Sequence, residues 1–157
     1  MGVYLGSNKV SGKGSDVKRE VMTVSLNTRQ YIPKSGDIVF DKVEFTNSDR
    51  LKLENGKIVI GKGIKAVLVS HTLWCEVGGG AYSFTRLYKN DYELTKSIFP
   101  DANGGQLWRT NTATPFPANV QEGDVIKSHV TFSVENSNNQ VAGSYTRSCY
   151  MTVEVIE

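Results

Sequence analysis

The residues with the most evident chemical potential in this chain are two histidines, and both fall inside predicted β-strands. His71 and His129 each lie in the middle of an alternating segment, where a histidine could serve a catalytic triad or a metal site. A strand histidine satisfied by a neighbouring polar group is far commoner. Ser70 precedes His71, but neighbours on a strand point to opposite faces of the sheet. Their adjacency therefore does not indicate a catalytic pair.

The two cysteines, Cys75 and Cys149, are also placed in predicted strands. They are far apart in the sequence and belong to no metal-binding motif. We interpret them as buried free thiols that pack as small hydrophobic side chains. A cross-strand disulfide is the alternative if their strands are neighbours, although an intracellular assembly site would not favour that bond.

Recognised catalytic and nucleotide-binding motifs are absent from the sequence. It contains no P-loop, no Gly-x-Ser-x-Gly and no His-Glu-x-x-His. Gly78–Gly80 joins two predicted strands, so no helix N-terminus follows it to bind phosphate. Asp101 with Asn103, and separately Asp37 with Asp41, offer oxygen ligands for Ca²⁺ without EF-hand order. We predict no catalytic residue, no cofactor, no metal site and no enzymatic activity.

Aromatic residues raise a second possibility, a surface on which sugar rings stack. The candidates are two tryptophans and three tyrosines: Trp74, Trp108, Tyr82, Tyr88 and Tyr92. Packing in a core or an interface is the favoured interpretation. A carbohydrate-binding module involved in host-surface recognition is the alternative function, and it requires these side chains to be exposed on one concave face.

The composition is that of an ordinary globular protein. Its 157 residues suffice for one domain with a real core, and 22% are charged and 39% hydrophobic. The net charge of +2 gives no global case for nucleic acid. Residues 1–34 hold six basic and two acidic residues, which predicts a solvated arm that docks on another protein. No segment approaches the ~20 apolar residues of a membrane span.

Two long strands are expected to organise the fold. The first, residues 144–157, ends the sequence, and the second is residues 64–77. One face of the pair carries mostly apolar residues, namely Val67, Val69, His71, Leu73, Cys75, Cys149, Met151, Val153 and Val155. The other carries Ile64, Leu68, Trp74, Tyr150 and Ile156 among small polar residues. Because both faces are substantially apolar, we predict central strands with neighbours on both sides.

Short alternating segments separated by turns fill the rest of the chain, which is typical of an all-β sandwich. Turns are predicted at residues 34–37 and at Asn55-Gly56, since Asn-Gly favours a type I′ hairpin. Pro115 and Pro117 mark an edge strand or a bulge. We expect residues 1–29 to form an N-terminal arm, although residues 21–26 alternate like a strand. Residues 30–157 form the predicted antiparallel two-sheet sandwich.

The order of these elements resembles the C1q/TNF-like jelly roll, and more closely its compact versions in phages and prophages of Gram-positive bacteria. The resemblance covers about residues 30–157. It is carried by Gly36-Asp-Ile-Val-Phe-Asp41, Asn55-Gly-Lys-Ile-Val-Ile60, Gly63 opening a long strand, Leu87-Tyr-Lys-Asn90, Gln121-Glu-Gly-Asp-Val125 and the closing Tyr150-Met-Thr-Val-Glu-Val-Ile156. The opening Val3-Tyr-Leu-Gly-Ser-Asn-Lys-Val10 is similar to short segments of phage tail, baseplate and fibre proteins.

The resemblance implies a homotrimer in which one sheet of each subunit packs round the three-fold axis. The two long strands would be neighbours in that sheet, with both cysteines on the inward face. The trimer interface would then comprise Leu68, Trp74, Tyr150 and Ile156. The protein would be a non-enzymatic virion component: a head fibre, a decoration protein or a receptor-binding protein assembled in the bacterial host cytoplasm.

Further expectations concern partners. The basic arm, residues 1–29, would anchor the protein to another virion protein. Candidate adhesive loops would face a host-surface glycan or protein through Gly78, Gly79, Gly80, Asp101, Asn103, Asn136 and Asn138. Neither nucleic acid nor membrane insertion is expected. A small jelly-roll enzyme is the third hypothesis, and it requires His71 and His129 to converge in one pocket with acidic residues.

Overall fold

The structure is a computed structural model that describes residues 19–77, 82–99, 107–142 and 149–156, with only the backbone described for residues 77, 98, 99, 107–109 and 111. All regular structure in these ranges is β-strand. The described residues contain no helix that is long and apolar enough to cross a membrane. The strands are β1 Val21–Ser25, β2 Gln30–Tyr31, β3 Ser35–Asp37, β4 Lys42–Thr46, β5 Leu51–Glu54, β6 Lys57–Ile60, β7 Ala66–Val77, β8 Ser83–Lys89, β9 Tyr92–Phe99, β10 Leu107–Asn119, β11 Val125–Phe132, β12 Gln140–Val141 and β13 Tyr150–Val155.

The strands form two antiparallel sheets that pack face to face. The seven-stranded sheet has the order β2-β12-β7-β13-β1-β4, with β10 on the free edge of β7. The six-stranded sheet has the order β5-β6-β11-β8-β9, with β3 also paired to β11. The predicted jelly-roll sandwich is therefore confirmed.

The two long strands lie side by side, as predicted. Residues 150–155 of β13 pair with residues 67–72 of β7, and the opposite edge of β13 pairs with β1. β13 is thus a central strand. The predicted strand 144–157 is described only from Tyr150 onward, because residues 143–148 lie outside the described residues.

The core lies between the sheets and contains the predicted inward faces of both strands. The fully or almost fully buried members from β7 and from residues 149–155 are Val67, Val69, Leu73, Cys75, Cys149, Met151, Val153 and Val155. One assignment was wrong: Ile64 precedes β7 and is 2% exposed, so it belongs to the core rather than to the opposite face. A residue outside the strand does not obey the strand's alternation.

The prediction that residues 1–29 form an arm is wrong for its C-terminal part. β1 pairs with β13 over residues 21–25 and with β4 on its other edge. Met22, Val24 and Leu26 are at most 4% exposed and belong to the core. The sandwich therefore begins before residue 30, since the alternation of this short segment reflects a central strand. Residues 1–18 lie outside the described residues.

Two local predictions had opposite outcomes. Residues 34–37 were expected to form a turn, but Ser35–Asp37 is strand β3, paired with His129–Thr131 of β11. Gly and Asp are turn residues by propensity, and cross-strand pairing overrides that preference here. The proline-containing segment is, as predicted, an edge strand with a bulge: β10 pairs only with β7 among the described strands, and its register shifts between Ala113 and Phe116.

The Asn55-Gly56 turn between β5 and β6 is confirmed. Both residues have positive φ, 49° and 76°, as a type I′ turn requires. A Cβ atom on Gly56 would also lie 2.5 Å from the Cα of Val39. Glycine is therefore needed here for both its torsion and its lack of a side chain.

One polar contact crosses the core and joins the two sheets. His71 of β7 is 2% exposed, and its Nδ1 and Nε2 atoms lie 3.0 Å from Ser128 Oγ of β11 and 3.1 Å from Thr85 Oγ1 of β8. Burial lowers the pKa of His71 to about 4, because the imidazolium would lose its hydration. The ring is therefore neutral at pH 7, with one nitrogen donating and the other accepting.

The cysteines are free thiols buried in this core, as interpreted from the sequence. Cys149 Sγ accepts a hydrogen bond from the backbone N–H of Trp74 at 3.1 Å, just before β13 begins. Burial raises the pKa of Cys149 to about 12, and hydrogen bonds from backbone groups offset this only in part. The thiol therefore stays protonated under ordinary conditions.

We predict that His71 makes the free energy of unfolding fall as the pH is lowered from 6.5 to about 4. Below pH 6.5 the unfolded chain binds a proton at this residue, but the folded protein does not until about pH 4. The free energy of unfolding should fall by about 3 kcal/mol across that window. His71→Gln keeps a donor and an acceptor but does not titrate, so it should lack this loss.

The measurement is urea unfolding of the wild type and the His71→Gln variant at intervals from pH 7.5 to pH 4. The carboxyl of Asp37 also has a lowered pKa, so its stabilisation is lost at lower pH, below about 4, in both proteins. Parallel curves for the two proteins between pH 6.5 and pH 4 would contradict the prediction.

We predict that Cys149 is inert in the folded protein. With a pKa of about 12, its thiolate fraction at pH 8 is roughly one in ten thousand, and the thiolate is the reactive form. In a Cys75→Ser variant, which leaves Cys149 as the single thiol, a disulfide reagent should react far more slowly with native than with urea-unfolded protein. Equal rates would show that the thiol is accessible.

Candidate interaction surface

The side of the seven-stranded sheet that faces away from the core is the candidate site, and we call it the outer face. It is built by alternation, because every second residue of β1, β7 and β13 points away from the buried side chains. Its members on the central strands are Thr23, Leu68, Ser70, Thr72, Trp74, Tyr150, Thr152 and Glu154, with Ile156 following β13.

Hydroxyl groups dominate the middle of the outer face. Thr23 and Thr152 lie opposite each other on β1 and β13, and their Oγ1 atoms are 3.0 Å apart. Thr72 of β7 and Thr112 of β10 are opposite each other in the same way, with Oγ1 atoms 3.3 Å apart. These groups satisfy one another across the strands, so the surface is polar but carries no charge there.

The four residues predicted for a trimer interface lie on or beside this face. Tyr150 is 38% exposed and Ile156 is 39% exposed, one at each end of β13. Leu68 is half-buried opposite Glu154, and Trp74 is half-buried and packs against the core. The structure therefore brings all four to one sheet surface: Trp74 lies two residues beyond Thr72, the partner of Tyr150, whereas Leu68 and Ile156 lie toward the other end of β13.

The charges of the outer face are paired: Glu154 lies on the central strand β13, opposite Leu68, whereas Lys42 and Glu44 belong to the edge strand β4. Arg19 Nη1 is 2.9 Å from Glu154 Oε1, and Lys42 Nζ is 2.9 Å from Glu44 Oε1. Glu44 also accepts a 2.6 Å hydrogen bond from the Ser25 hydroxyl. That bond, together with the contact from Lys42, lowers the pKa of Glu44.

Phe45 is a member of this surface that the sequence analysis missed. It lies opposite Thr23 on β4 and is 54% exposed. β4 pairs only with β1 among the described strands, so Phe45 stands at an open sheet edge. Its alternation with Val43 and Glu44 indicated a strand, but whether such a strand is central or at an edge depends on pairing with distant residues.

The candidate adhesive loops are described only in part. Gly78, Gly79, Gly80, Asp101 and Asn103 lie outside the described residues. Asn136 and Asn138 belong to the segment between β11 and β12. Asn136 is half-buried and its Oδ1 accepts the backbone N–H of Asn138 at 2.9 Å, while Asn138 is exposed. Asn138 therefore presents a free surface, and Asn136 shapes the turn.

The two histidines do not converge. His71 lies inside the core, whereas His129 points outward on β11 of the other sheet, where its Nδ1 atom is 2.8 Å from Asp37 Oδ1. The hypothesis of a jelly-roll enzyme with both histidines in one pocket is therefore wrong. The described residues also contain no group of three or more His, Cys, Asp or Glu that could hold a metal ion.

Asp37 and Asp41, one of the two pairs considered for Ca²⁺, have protein partners instead, and the other pair, Asp101 with Asn103, lies outside the described residues. Asp37 faces Lys57 at 3.1 Å and Lys127 at 3.5 Å. Asp41 accepts the backbone N–H of Asn27 at 2.6 Å. The lysine ammonium groups occupy the surroundings that a cation would need, so this pair is not a metal site.

The aromatic residues considered for sugar binding are divided between opposite sides of the sandwich. Tyr82 precedes β8 and Tyr88 lies within it, on the outside of the six-stranded sheet, and Tyr92 begins β9. Trp74 lies on the other sheet, and the side chain of Trp108 is outside the described residues. The described members therefore do not line one concave face.

Comparison with solved structures identifies the fold. The chain is similar to murine APRIL, with a TM-score of 0.63 at pH 8.5 and 0.66 at pH 5.0, 8% sequence identity, and coverage of 88% of this chain and 100% of that one. It is also similar to the globular domain of the zebrafish complement 1qA protein, with a TM-score of 0.53, 11% identity, and coverage of 87% and 96%. No family model and no curated protein matches the sequence. At these identities the likeness is one of fold, and the fold is a C1q/TNF-like jelly roll.

Proposed function

We propose that this chain is a structural protein of a phage or prophage virion, a trimeric fibre, decoration protein or receptor-binding head. The observation that carries the proposal is the outer face, on which Tyr150 and Ile156 are exposed at the two ends of the central strand β13, with Thr152 and the salt-bridged Glu154 between them. The resemblance of residues 30–157 to compact phage versions of this jelly roll supplies the setting.

The chemistry of the outer face supports its use as an interface between subunits. Interface cores are depleted in charge and enriched in aromatic residues, while their rims are polar. Here Thr72, Thr152 and Tyr150 carry no charge, and the charge of Glu154, which lies between Thr152 and Ile156 on β13, is paired with Arg19. The strand β13 is hydrogen-bonded on both edges, which makes the middle of this surface rigid.

Three-fold symmetry is the arrangement that the resemblance implies for this sheet. Each subunit would place its outer face toward the axis and bury Leu68, Tyr150 and Ile156 against its sisters. Trp74, further along β7, would lie at one end of the contact. The outside of the six-stranded sheet and the loops at the ends of the sandwich would stay exposed.

Attachment and adhesion would use the remaining parts of the chain. Residues 1–18, which include Lys9, Lys13 and Lys18, would dock on another virion protein. The loops that contain Gly78–Gly80, Asp101 with Asn103, and Asn136 with Asn138 would meet a host-surface glycan or protein. The protein would then reside in the virion after assembly in the host cytoplasm.

A carbohydrate-binding module is the alternative function. The observation in its favour is the exposure of Tyr82 and Tyr92, 40% and 71%, near the outside of the six-stranded sheet. Tyr82 makes an edge contact with the ring of Phe84, with centroids 4.9 Å apart. A glycan array probed with the wild type and with Tyr82→Ala tests it, and the absence of any hit would remove it.

We predict that Tyr150→Asp converts a trimer to a monomer. The substitution places three carboxylates near one axis and removes an aromatic contact, and unpaired charge in an interface is costly. Sedimentation velocity at micromolar concentration should show about one third of the wild-type mass.

Tyr92→Asp is the matched control, since it makes the same change at an exposed tyrosine on the opposite sheet. It should leave the trimer intact. A monomeric wild type, or a Tyr150→Asp protein that remains trimeric with an unchanged melting temperature, would overturn the proposed interface.

A further inference from the structure

Three polar side chains on the outside of the six-stranded sheet form a Ser-His-Asp arrangement. His129 Nδ1 lies 2.8 Å from Asp37 Oδ1, and its Nε2 lies 2.8 Å from Ser35 Oγ. Ser35 is exposed, and the side chain of His129 is 22% exposed. The three groups thus lie in the order nucleophile, base and orienting carboxylate, which is how a triad is recognised irrespective of sequence position.

Strand pairing between β3 and β11 creates this arrangement. The backbone N–H of Ile38 donates to Ser128 O and that of Phe132 to Lys34 O, both at 2.8 Å. Residues 35 and 37 therefore fall between these hydrogen-bonded pairs, opposite Thr131 and His129, where side chains approach closely. Gly36 separates the two, so both point to the same side of the sheet.

The same alternation directs the backbone N–H of Ser35 away from β11. Among the described strands, β11 is the only partner of β3, so this N–H faces the free edge of the sheet. A nucleophile's own backbone N–H beside its hydroxyl is one of the donors that stabilise the oxyanion in acyl transfer.

The hydrogen-bond network directs the proton of the Ser35 hydroxyl toward Nε2 of His129. Partial burial acts to raise the pKa of Asp37, but hydrogen bonds from His129 and Lys57 and the charge of Lys127 outweigh it, leaving the pKa lowered. The ionised carboxylate then holds the proton of His129 on Nδ1, and Nε2 is left as an acceptor.

Thr131 contacts the Ser35 hydroxyl from the side opposite His129 and fixes the direction of its hydrogen bonds. Its Oγ1 accepts from Arg86 Nη1 at 3.0 Å and lies 3.0 Å from Ser35 Oγ. Because the arginine can only donate, the threonine hydroxyl is free to donate its own proton to Ser35. Ser35 in turn donates to His129, which is the ground state that general-base activation requires.

We propose that Ser35 is an activated nucleophile that reacts with small acyl esters, with His129 as its general base and Asp37 as the residue that positions the imidazole. This activity goes beyond the proposed structural role and does not depend on the trimer. The nucleophile and base are 94 residues apart in the sequence, so no linear motif would announce them. Because Ser35 lies on an exposed sheet surface that supplies little binding energy, the expected substrates are small esters that are intrinsically reactive.

The chemistry balances with water as the only co-reactant. Ser35 Oγ bonds to the ester carbonyl carbon while its proton passes to His129 Nε2. The carbon–oxygen bond to the alcohol then breaks, and the alcohol leaves with that proton. Water attacks the acyl-serine, gives a proton to Nε2, and releases the carboxylic acid as Ser35 regains its hydrogen.

The test is covalent labelling of the full chain by a fluorophosphonate, which bonds phosphorus to the serine oxygen as fluoride leaves. Intact-protein mass spectrometry and peptide mapping should find one adduct, on Ser35, and Ser35→Ala should abolish it. His129→Gln should slow labelling by roughly 100-fold or more, the scale of a general base. Hydrolysis of p-nitrophenyl acetate by the same variants reports turnover.

A conservative substitution of Asp37 tests whether this carboxylate positions the imidazole of His129. The groups that face His129 are Asp37, Ser35, Arg86 directly opposite on β8, and the ring of Tyr88, 5.8 Å away between centroids. Lys57 and Lys127 contact the other oxygen of Asp37. Asp37→Asn should slow labelling, because the carboxamide no longer holds the proton of His129 on Nδ1 and leaves Nε2 to accept the serine proton, whereas Asp37→Glu, which keeps a carboxylate, should restore part of the rate.

Ser137→Ala is the control at an exposed serine outside the cluster, and it should label as the wild type does. No adduct, an adduct on another residue, or an unchanged rate in His129→Gln would overturn the proposal and leave a cross-strand polar ladder. Sedimentation velocity of the wild type and of Ser35→Ala tests the trimer independently of labelling. If the protein is a trimer but Ser35 is not labelled, only the proposed nucleophile is overturned and the proposed trimer stands.

Discussion

The pairing of β7 with β13 is the constraint on which the remainder of the structure depends. Residues 67–72 and 150–155 run antiparallel at the centre of the seven-stranded sheet, although more than seventy residues separate them along the chain. Their alternation sends Val69, Met151 and Val153 into the core and leaves Tyr150 and Thr152 on the other side. A slip of one residue would exchange these faces, so burial of the apolar set fixes the register. Both the core and the candidate interaction surface follow from it.

Alternation within single strands is what made much of this fold predictable. The period of two separated buried from exposed residues in β7, β8 and β13, and the prolines of β10 identified an edge strand with a bulge. Apolar residues on both faces indicated central strands, because a strand with one face in water usually carries polar residues on that face. Local torsional preference likewise placed the Asn55-Gly56 turn, where left-handed φ is required. These features depend on few neighbours, so a sequence alone can report them.

Features created by distant pairing could not be read in this way. β1 is short and bordered by polar residues, and it becomes central only because β13 and β4 lie on its two edges. Ser35-Gly36-Asp37 has the composition of a turn, and its strand conformation comes from β11, more than ninety residues later. The proximity of Ser35, His129 and Asp37 follows from that pairing, so the candidate triad had no linear signal. The two histidines also lie on different sides of the sandwich: His71 is in the core, where it joins the two sheets, and His129 is on the outer surface of the six-stranded sheet.

The two outer surfaces of the sandwich differ in how they satisfy their polar groups, and this difference assigns them different roles. On the seven-stranded sheet, neutral hydroxyls such as Thr23 and Thr152 satisfy each other, so covering the surface would strand few charges. On the six-stranded sheet, Asp37 engages Lys57, Lys127 and His129 in a charged network. Burying that network against a partner would incur the desolvation of several ions. This difference agrees with the proposed trimer, in which the first surface is covered by protein, and with the proposal that the second stays in water and carries the Ser35 cluster.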